Sequence, residues 1–157
     1  MSWNGTVTVR DRIFSILPYA LPLMYGLQFG QYLFQQFPIL QLIAIPLLPL
    51  LAIYQSFPFA GLIIFFALFM LVVRNENIPR FIRFNTMQAI LIDILLVLCS
   101  LILGILGGGL QGFILETLYN MIFLGVLAAV FYSIVQCALG RYAQIPTISD
   151  AVNMQVR

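Results

Sequence analysis

The sequence predicts an all-α polytopic membrane protein with four transmembrane helices and one further helix, kinked by proline, that is interfacial or re-entrant. Of its 157 residues 62% are hydrophobic and only 8% are charged, whereas soluble domains average roughly 45–50% and about 25%. So few charges could not cover a soluble surface. The apolar residues also form long runs, and a helix of about 20 such residues crosses the bilayer core.

Four apolar runs are the predicted membrane spans. Together they hold a single charged residue, Asp93, in the third run. We expect one membrane domain over residues 1–157 that ends in a polar tail over residues 140–157. The predicted spans cover approximately residues 13–34, 57–73, 84–106 and 118–139.

A fifth apolar run, residues 37–54, is also long enough to cross a membrane, but the arginines argue against it. With four spans both termini and the middle loop share one side, and all seven arginines then face the cytoplasm or its equivalent, as the positive-inside rule prefers. Pro46 and Pro49 lack amide hydrogens and disturb a helix, so residues 37–54 are predicted to be a kinked helix, interfacial or re-entrant. The arginines are Arg10, Arg12, Arg74, Arg80, Arg83, Arg141 and Arg157.

The composition also excludes most familiar active sites. The chain has no histidine, and therefore no imidazole base or imidazole metal ligand. All its basic residues are arginines, and its two cysteines, Cys99 and Cys137, both lie inside apolar runs. A net charge of +2 is too small for a nucleic-acid footprint. We expect no enzyme, no cofactor, no bound metal and no nucleic acid.

Small residues and prolines predict where the helices pack. In the first span four of them recur every fourth residue and form one slowly turning stripe, which includes a GxxxG pair of the kind that lets membrane helices approach closely. A hinge at the two prolines is the alternative. The fourth span carries a similar small-and-polar face. The predicted packing residues are Pro18, Pro22, Gly26 and Gly30 in the first span, and Gly125 and Ala129 in the fourth.

The third span carries the candidate functional polar groups. Asp93 lies near its middle, where a charged carboxylate costs at least about 2.5–3.5 kcal/mol. Thr86, Asp93 and Ser100 follow each other at seven-residue intervals and share a face. Asp93 is therefore either a functional ionisable group or a neutral group that hydrogen-bonds Ser, Tyr or Gln of another helix. The full candidate set is Arg80, Arg83, Asn85, Thr86, Gln88 and Asp93.

Four segments give the chain a family resemblance. They are Asp11–Phe14 with Leu17–Tyr19, the more specific Arg80–Ala89 (RFIRFNTMQA), Pro38–Pro49, and Pro146–Val152. With them the sequence resembles the twenty-kilodalton, channel-type subunit of TIC, the protein translocon of the chloroplast inner envelope, a family with plastid-encoded and cyanobacterial members.

The resemblance implies a non-enzymatic component of preprotein import in the plastid inner envelope or the cyanobacterial plasma membrane. It implies other translocon subunits and preproteins as partners, beside membrane lipids and with a homo-oligomer left open. Both termini are expected on the stromal or cytoplasmic side. No transit peptide precedes the first span, so we expect the sequence to begin at its mature domain. The alternative function is a small ion- or proton-linked transporter or channel that uses Asp93.

Overall fold

The computed structural model describes residues 7–110, 112–145 and 147–156, and these residues form helices and short connections without any strand. The predicted all-α class is confirmed. Pro146, which begins one of the segments that carry the family resemblance, and Arg157, one of the seven arginines, lie outside the described residues. The helices are α1 (Val9–Gln36), α2 (Pro38–Ser56), α3 (Ala60–Val73), α4 (Arg80–Gly109), α5 (Gly112–Ala138) and α6 (Ile148–Gln155).

The long helix α1 begins at a capping box. The hydroxyl of Thr8 accepts from the amide of Asp11 at 3.1 Å, and the Asp11 carboxylate accepts from the amide of Thr8 at 3.2 Å. Two short 3₁₀ turns, Leu17–Tyr19 and Leu27–Gly30, interrupt the α-helical geometry without ending the helix. The first of them contains Pro18, whose ring removes one amide donor from the helix.

In the described part of the chain four helices are long and apolar enough to cross a membrane, namely α1, α2, α4 and α5. Four spans were predicted, but the four long helices are not the same four segments. The predicted span 57–73 becomes α3, whose 14 residues rise only about 21 Å at 1.5 Å per residue. The segment predicted as interfacial or re-entrant becomes α2, with 19 residues. It is a 3₁₀ helix up to Leu47 and an α-helix from Leu48, and this change of helix type falls between its two inner prolines.

The chain returns from the far end of α1 through α2 and α3 together. At the end of α1, the side-chain amide of Gln36 donates to Glu116 near the start of α5 at 3.1 Å. At the end of α3, the carbonyl of Val73 accepts from Arg83 of α4 at 3.0 Å. α1 and α3 therefore end at opposite ends of the bundle. The chain crosses back between these two ends through two helices, α2 and α3, and not through one long helix.

Six arginines gather at one end of the bundle, here called the arginine end. Arg12 donates to the carbonyl of Ala138 at the end of α5 at 3.1 Å, and Arg80 donates to Asn153 of α6 at 2.9 Å. These contacts bring together the start of α1, the ends of α3 and α5, the start of α4 and all of α6. The arginines concerned are Arg10, Arg12, Arg74, Arg80, Arg83 and Arg141.

Helix α4 changes character along its length. Every residue from Phe81 to Ile90 is buried, so its first turns are surrounded by other parts of the chain. Beyond Asp93 large apolar side chains such as Leu101 and Ile105 are exposed. Half of α4 is thus the centre of the bundle, and the other half has the apolar surface expected of a helix that faces lipid.

Candidate functional site

A buried polar cluster, formed by Tyr19, Asn85, Gln88 and Ser149, occupies the centre of the arginine end. Asn85 and Gln88 are three residues apart and therefore share a face of α4, which they turn toward α1. The hydroxyl of Tyr19 donates to Oδ1 of Asn85 at 2.7 Å and accepts from Nε2 of Gln88 at 3.1 Å. All four side chains are almost completely buried.

The same cluster holds the segment that follows α5. Nε2 of Gln88 also donates to the carbonyl of Ala143 at 3.2 Å. The Ser149 hydroxyl lies 2.7 Å from Oε1 of Gln88 and 3.1 Å from the carbonyl of Ala143, between which its one proton is shared, and it accepts from the amide of Ile145 at 2.7 Å. Gln88 thus connects three parts of the chain that are far apart in sequence.

The polar atoms of the cluster are engaged with one another or with the backbone. The side-chain nitrogen Nδ2 of Asn85 donates to the carbonyl of Phe81 at 2.8 Å. No buried side-chain oxygen or nitrogen of these four residues lacks a partner. A buried network that is fully satisfied stabilises a single arrangement of its elements. The cluster therefore fixes the positions of α1, α4 and the C-terminal segment.

The two candidate arginines of the Arg80–Ala89 segment also make contacts within the chain. Arg83 is buried and donates from Nε to the last carbonyl of α3. Arg80 reaches α6 through Asn153, and its guanidinium lies 5.7 Å from the ring centroid of Tyr142, close enough for a cation–π contact. Both arginines fasten neighbouring elements to the start of α4.

The two remaining candidates, Thr86 and Asp93, have no hydrogen-bond partner among the described residues. The Thr86 hydroxyl is buried, and Thr86 lines an apolar groove of about 530 Å³ between α1, α3 and α4. Asp93 is half-buried, with Oδ1 inaccessible and unpartnered. Tyr54 of α2 lies close enough to interact with it electrostatically. The hydrogen bond to another helix expected of a neutral Asp93 is therefore not seen within the described part of the chain.

The glycine pair of α1 lies against α5. A Cβ atom built on Gly26 would come within 2.9 Å of Cγ1 of Val126, and one built on Gly30 within 2.8 Å of a ring carbon of Phe123. Only glycine lets the two helices approach this closely. Pro18 and Pro22 are both buried on the same helix.

On α5 one predicted packing residue, Gly125, meets no neighbouring helix within the described part of the chain. Gly125 is exposed, and a Cβ there would meet nothing within 4 Å. Successive residues of a helix differ by about 100° in direction, so the face of Val126 points well away from that of Gly125. Ala129 is half-buried, and its carbonyl accepts a hydrogen bond from the hydroxyl of Ser133 at 2.8 Å. The buried face of α5 consists of Phe123, Val126, Val130, Ser133 and Cys137.

Sequence reasoning from single helices missed Tyr19 and Ser149 as polar partners. Both residues belong to segments that carry the family resemblance, Leu17–Tyr19 and Pro146–Val152. These motifs could have pointed to the two residues, whereas helical periodicity could not. The described residues include no group of three or more His, Cys, Asp or Glu side chains that could hold a metal ion. The arrangement is that of a scaffold built from hydrogen bonds.

Comparison of the sequence with known proteins points to one family. The family model described as "Chloroplast import apparatus Tic20-like" matches residues 9–152. A "Tic20 family protein" of Synechocystis sp. is 57% identical over 100% of this chain and 99% of its own length. "Protein TIC 20-v, chloroplastic" of Arabidopsis thaliana is 36% identical over 98% of the chain and 74% of its own length.

Plastid-encoded relatives match as well. "Tic20 family protein Ycf60" of the alga Gracilaria tenuistipitata var. liui is 41% identical over 96% of this chain and 77% of its own length. The family model and the relatives both cover α1 to α5, and with them the buried polar cluster. The chain therefore belongs to the Tic20-like family of the chloroplast import apparatus, as a multi-pass membrane protein.

Proposed function

We propose that the chain is an integral component of a protein translocon that acts in preprotein transport across the plastid inner envelope or the cyanobacterial plasma membrane. The observation that carries the proposal is the place of the Arg80–Ala89 segment. This segment lies within the region that the family model matches, and its polar side chains hold α1, α3 and the C-terminal segment around the start of α4. The chain thus combines the family match with a scaffold built by its own polar residues.

The interior supports a subunit that works within an assembly. The four side chains of the buried polar cluster are consumed by internal hydrogen bonds, and an aqueous path for a polypeptide needs polar groups that face water. Exposed apolar residues on α2, α4 and α5 provide lateral surface for lipid or for other membrane proteins. We infer that a translocation path forms beside this chain or between several subunits, including further copies of it.

The orientation proposed for the bundle follows from its charges. Six arginines lie at one end, and arginine-rich segments remain on the cytoplasmic side of membranes. The arginine end therefore faces the stroma or cytoplasm in this proposal, and the end that holds Glu116 faces the opposite side.

The proposed function is tested by recovery of the tagged chain from native membranes. Membranes are crosslinked while a precursor protein is stalled by a tightly folded passenger domain, and the proteins recovered are identified by mass spectrometry. An unrelated multi-pass protein with the same tag and the same expression level is the matched control. We expect the stalled precursor and translocon subunits to be enriched over the control. Recovery equal to the control for both would contradict the proposal.

Asp93 favours a second candidate function, a small ion- or proton-linked transporter. The observation is its unpartnered Oδ1 within the third predicted span, since ionisable groups inside membranes mark ion and proton pathways. The test is proton or cation flux into liposomes that contain the purified chain. Flux that depends on the Asp93 carboxyl and is lost in Asp93→Asn would support this function, and flux equal to that of empty liposomes would reject it.

A further inference from the structure

The apolar groove lined by Thr86 opens at the arginine end, between α1, α3 and the first turns of α4. We call it the interhelical groove. It has a volume of about 530 Å³, and twelve of its fifteen lining residues are apolar. Six that define its two long walls are Phe14, Leu17 and Leu21 on α1, and Ile64, Leu68 and Val72 on α3. An apolar groove of this kind, on a chain surrounded by lipid, is open to the molecules of the membrane itself.

The mouth of the groove carries a positive charge, that of Arg10, without an ion pair among the described residues. Arg10 lines the groove, is exposed, and makes neither an ion pair nor a hydrogen bond with the described residues. Its neighbours Arg12, Arg80 and Arg83 are engaged with the backbone or with side chains of the same chain. A negative group placed at the mouth would therefore meet a cation that none of the described residues pairs with. Basic pockets between membrane helices bind anionic lipid headgroups in this way.

The shape of the groove suits a chain-like occupant. An acyl chain can follow a groove that runs between two helices, and the walls it would contact are apolar. The volume also lies within the range of about 300–1,000 Å³ usual for sites that bind small molecules.

We propose that the interhelical groove is a binding site for an anionic membrane phospholipid. One acyl chain lies between α1 and α3, and the headgroup phosphate lies beside Arg10 at the mouth. Such a lipid would fill the space between two helices that the chain alone leaves apart, and would connect the start of α1 to α3. The site thereby couples the packing of the arginine end to the anionic lipid of the membrane.

The test uses the purified full-length chain in nanodiscs of phosphatidylcholine. The probe is phosphatidylglycerol with a photoreactive diazirine on one acyl chain, and phosphatidylcholine with the same acyl chain is its matched probe. After illumination, labelled peptides are identified by mass spectrometry. We expect labels on the groove walls of α1 and α3, with stronger labelling by the anionic probe.

Two pairs of variants separate the groove from the surrounding surface. Leu17→Trp fills the groove from a side chain that is exposed and so tolerates enlargement, and Ile13→Trp is its control one turn away on the same helix, outside the groove lining. Arg10→Gln removes the charge at the mouth, and Arg141→Gln removes an exposed charge at the same end outside the groove. Elution as a single species on gel filtration shows that each variant is folded.

We expect Leu17→Trp to reduce labelling of the groove walls to background for both probes. Arg10→Gln should lower the preference for the anionic probe about fivefold, as expected for one arginine near a charged headgroup, and both controls should label as the wild type does. Equal labelling by the two probes, or labelling unchanged in Leu17→Trp, would overturn the proposal. Loss of a co-purified protein in Leu17→Trp with lipid labelling intact would also overturn it, because the groove would then belong to that protein.

Discussion

The hydroxyl of Tyr19 donates a hydrogen bond of 2.7 Å to Oδ1 of Asn85, 66 positions away in the sequence. This bond joins α1 to α4 at the buried centre of the arginine end. Gln88 donates to the same hydroxyl and reaches the segment after α5. One phenol oxygen therefore lies at the junction of three parts of the chain, which makes its contribution directly measurable.

Removal of this hydroxyl in Tyr19→Phe should destabilise the bundle by roughly 1–3 kcal/mol, because a buried acceptor and a buried donor both lose a partner. The measurement is thermal unfolding of the purified chain in detergent. Tyr132→Phe on α5 is the matched control, since Tyr132 is 43% exposed. A Tyr19→Phe variant as stable as the control would show that the cluster contributes nothing to the fold.

How far the sequence predicts this fold differs from element to element. The membrane class, α4 and α5 follow from composition and from uninterrupted apolar runs. The break near Phe57 was also placed correctly, since the backbone is extended there just before Pro58, as residues before proline prefer. The roles of the two segments on either side of it do not follow, because hydropathy treats both alike. The distribution of the arginines predicted four spans. It did not predict which part of residues 37–73 crosses the membrane between α1 and α4.

The candidate site was predicted in part for a similar reason. Asn85 and Gln88 could be selected because polar residues inside an apolar helix need partners. Their actual partners, Tyr19 and Ser149, lie on other elements, and the periodicity of α4 carries no information about them. A small residue marks a close contact only on the face that meets a neighbour, and α5 turns Phe123 and Val126, rather than Gly125, toward the glycine pair of α1.

Enlargement of the glycine pair of α1 should separate α1 from α5. Gly26→Ala places a methyl group 2.9 Å from Val126, and overpacking of this kind typically costs about 1–3 kcal/mol. Thermal unfolding in detergent is again the measurement. The control is Gly104→Ala, where a methyl group meets nothing within 4 Å.

A second substitution tests the cause of that loss. Val126→Ala removes the methyl groups that the new side chain would meet, so the Gly26→Ala/Val126→Ala double variant should lose less stability than the two single losses added together. Strict additivity of the two losses would show that Gly26 and Val126 are not in contact.

Substitution of Asp93 separates a structural from an ion-linked role. No described residue donates to its carboxylate, so Asp93→Asn and Asp93→Leu should both keep a stably assembled bundle. We also expect Asp93→Asn to complement a depletion strain, measured as growth beside detergent-stable assembly. An Asn variant that assembles normally but fails to complement would instead favour the ion-linked transporter.

The proposed orientation predicts a labelling pattern for single cysteines. In a variant without Cys99 and Cys137, Asn77→Cys and Asn153→Cys should react with a membrane-impermeant reagent from one side of intact vesicles. Gly108→Cys, at the opposite end of α4, should react only from the other side. Asn77→Cys and Asn153→Cys that label from opposite sides would contradict the arrangement in which the arginine end lies on one face of the membrane.

The proposal of a translocon component is tested most directly by following precursor proteins while the chain is depleted. Pulse-labelled precursors should accumulate unprocessed outside the membrane within the period of depletion, and should again be processed once the wild-type chain is restored. The permeability of the same membranes to protons and small cations should stay unchanged. Normal processing of precursors in depleted cells, together with altered ion permeability, would contradict the account.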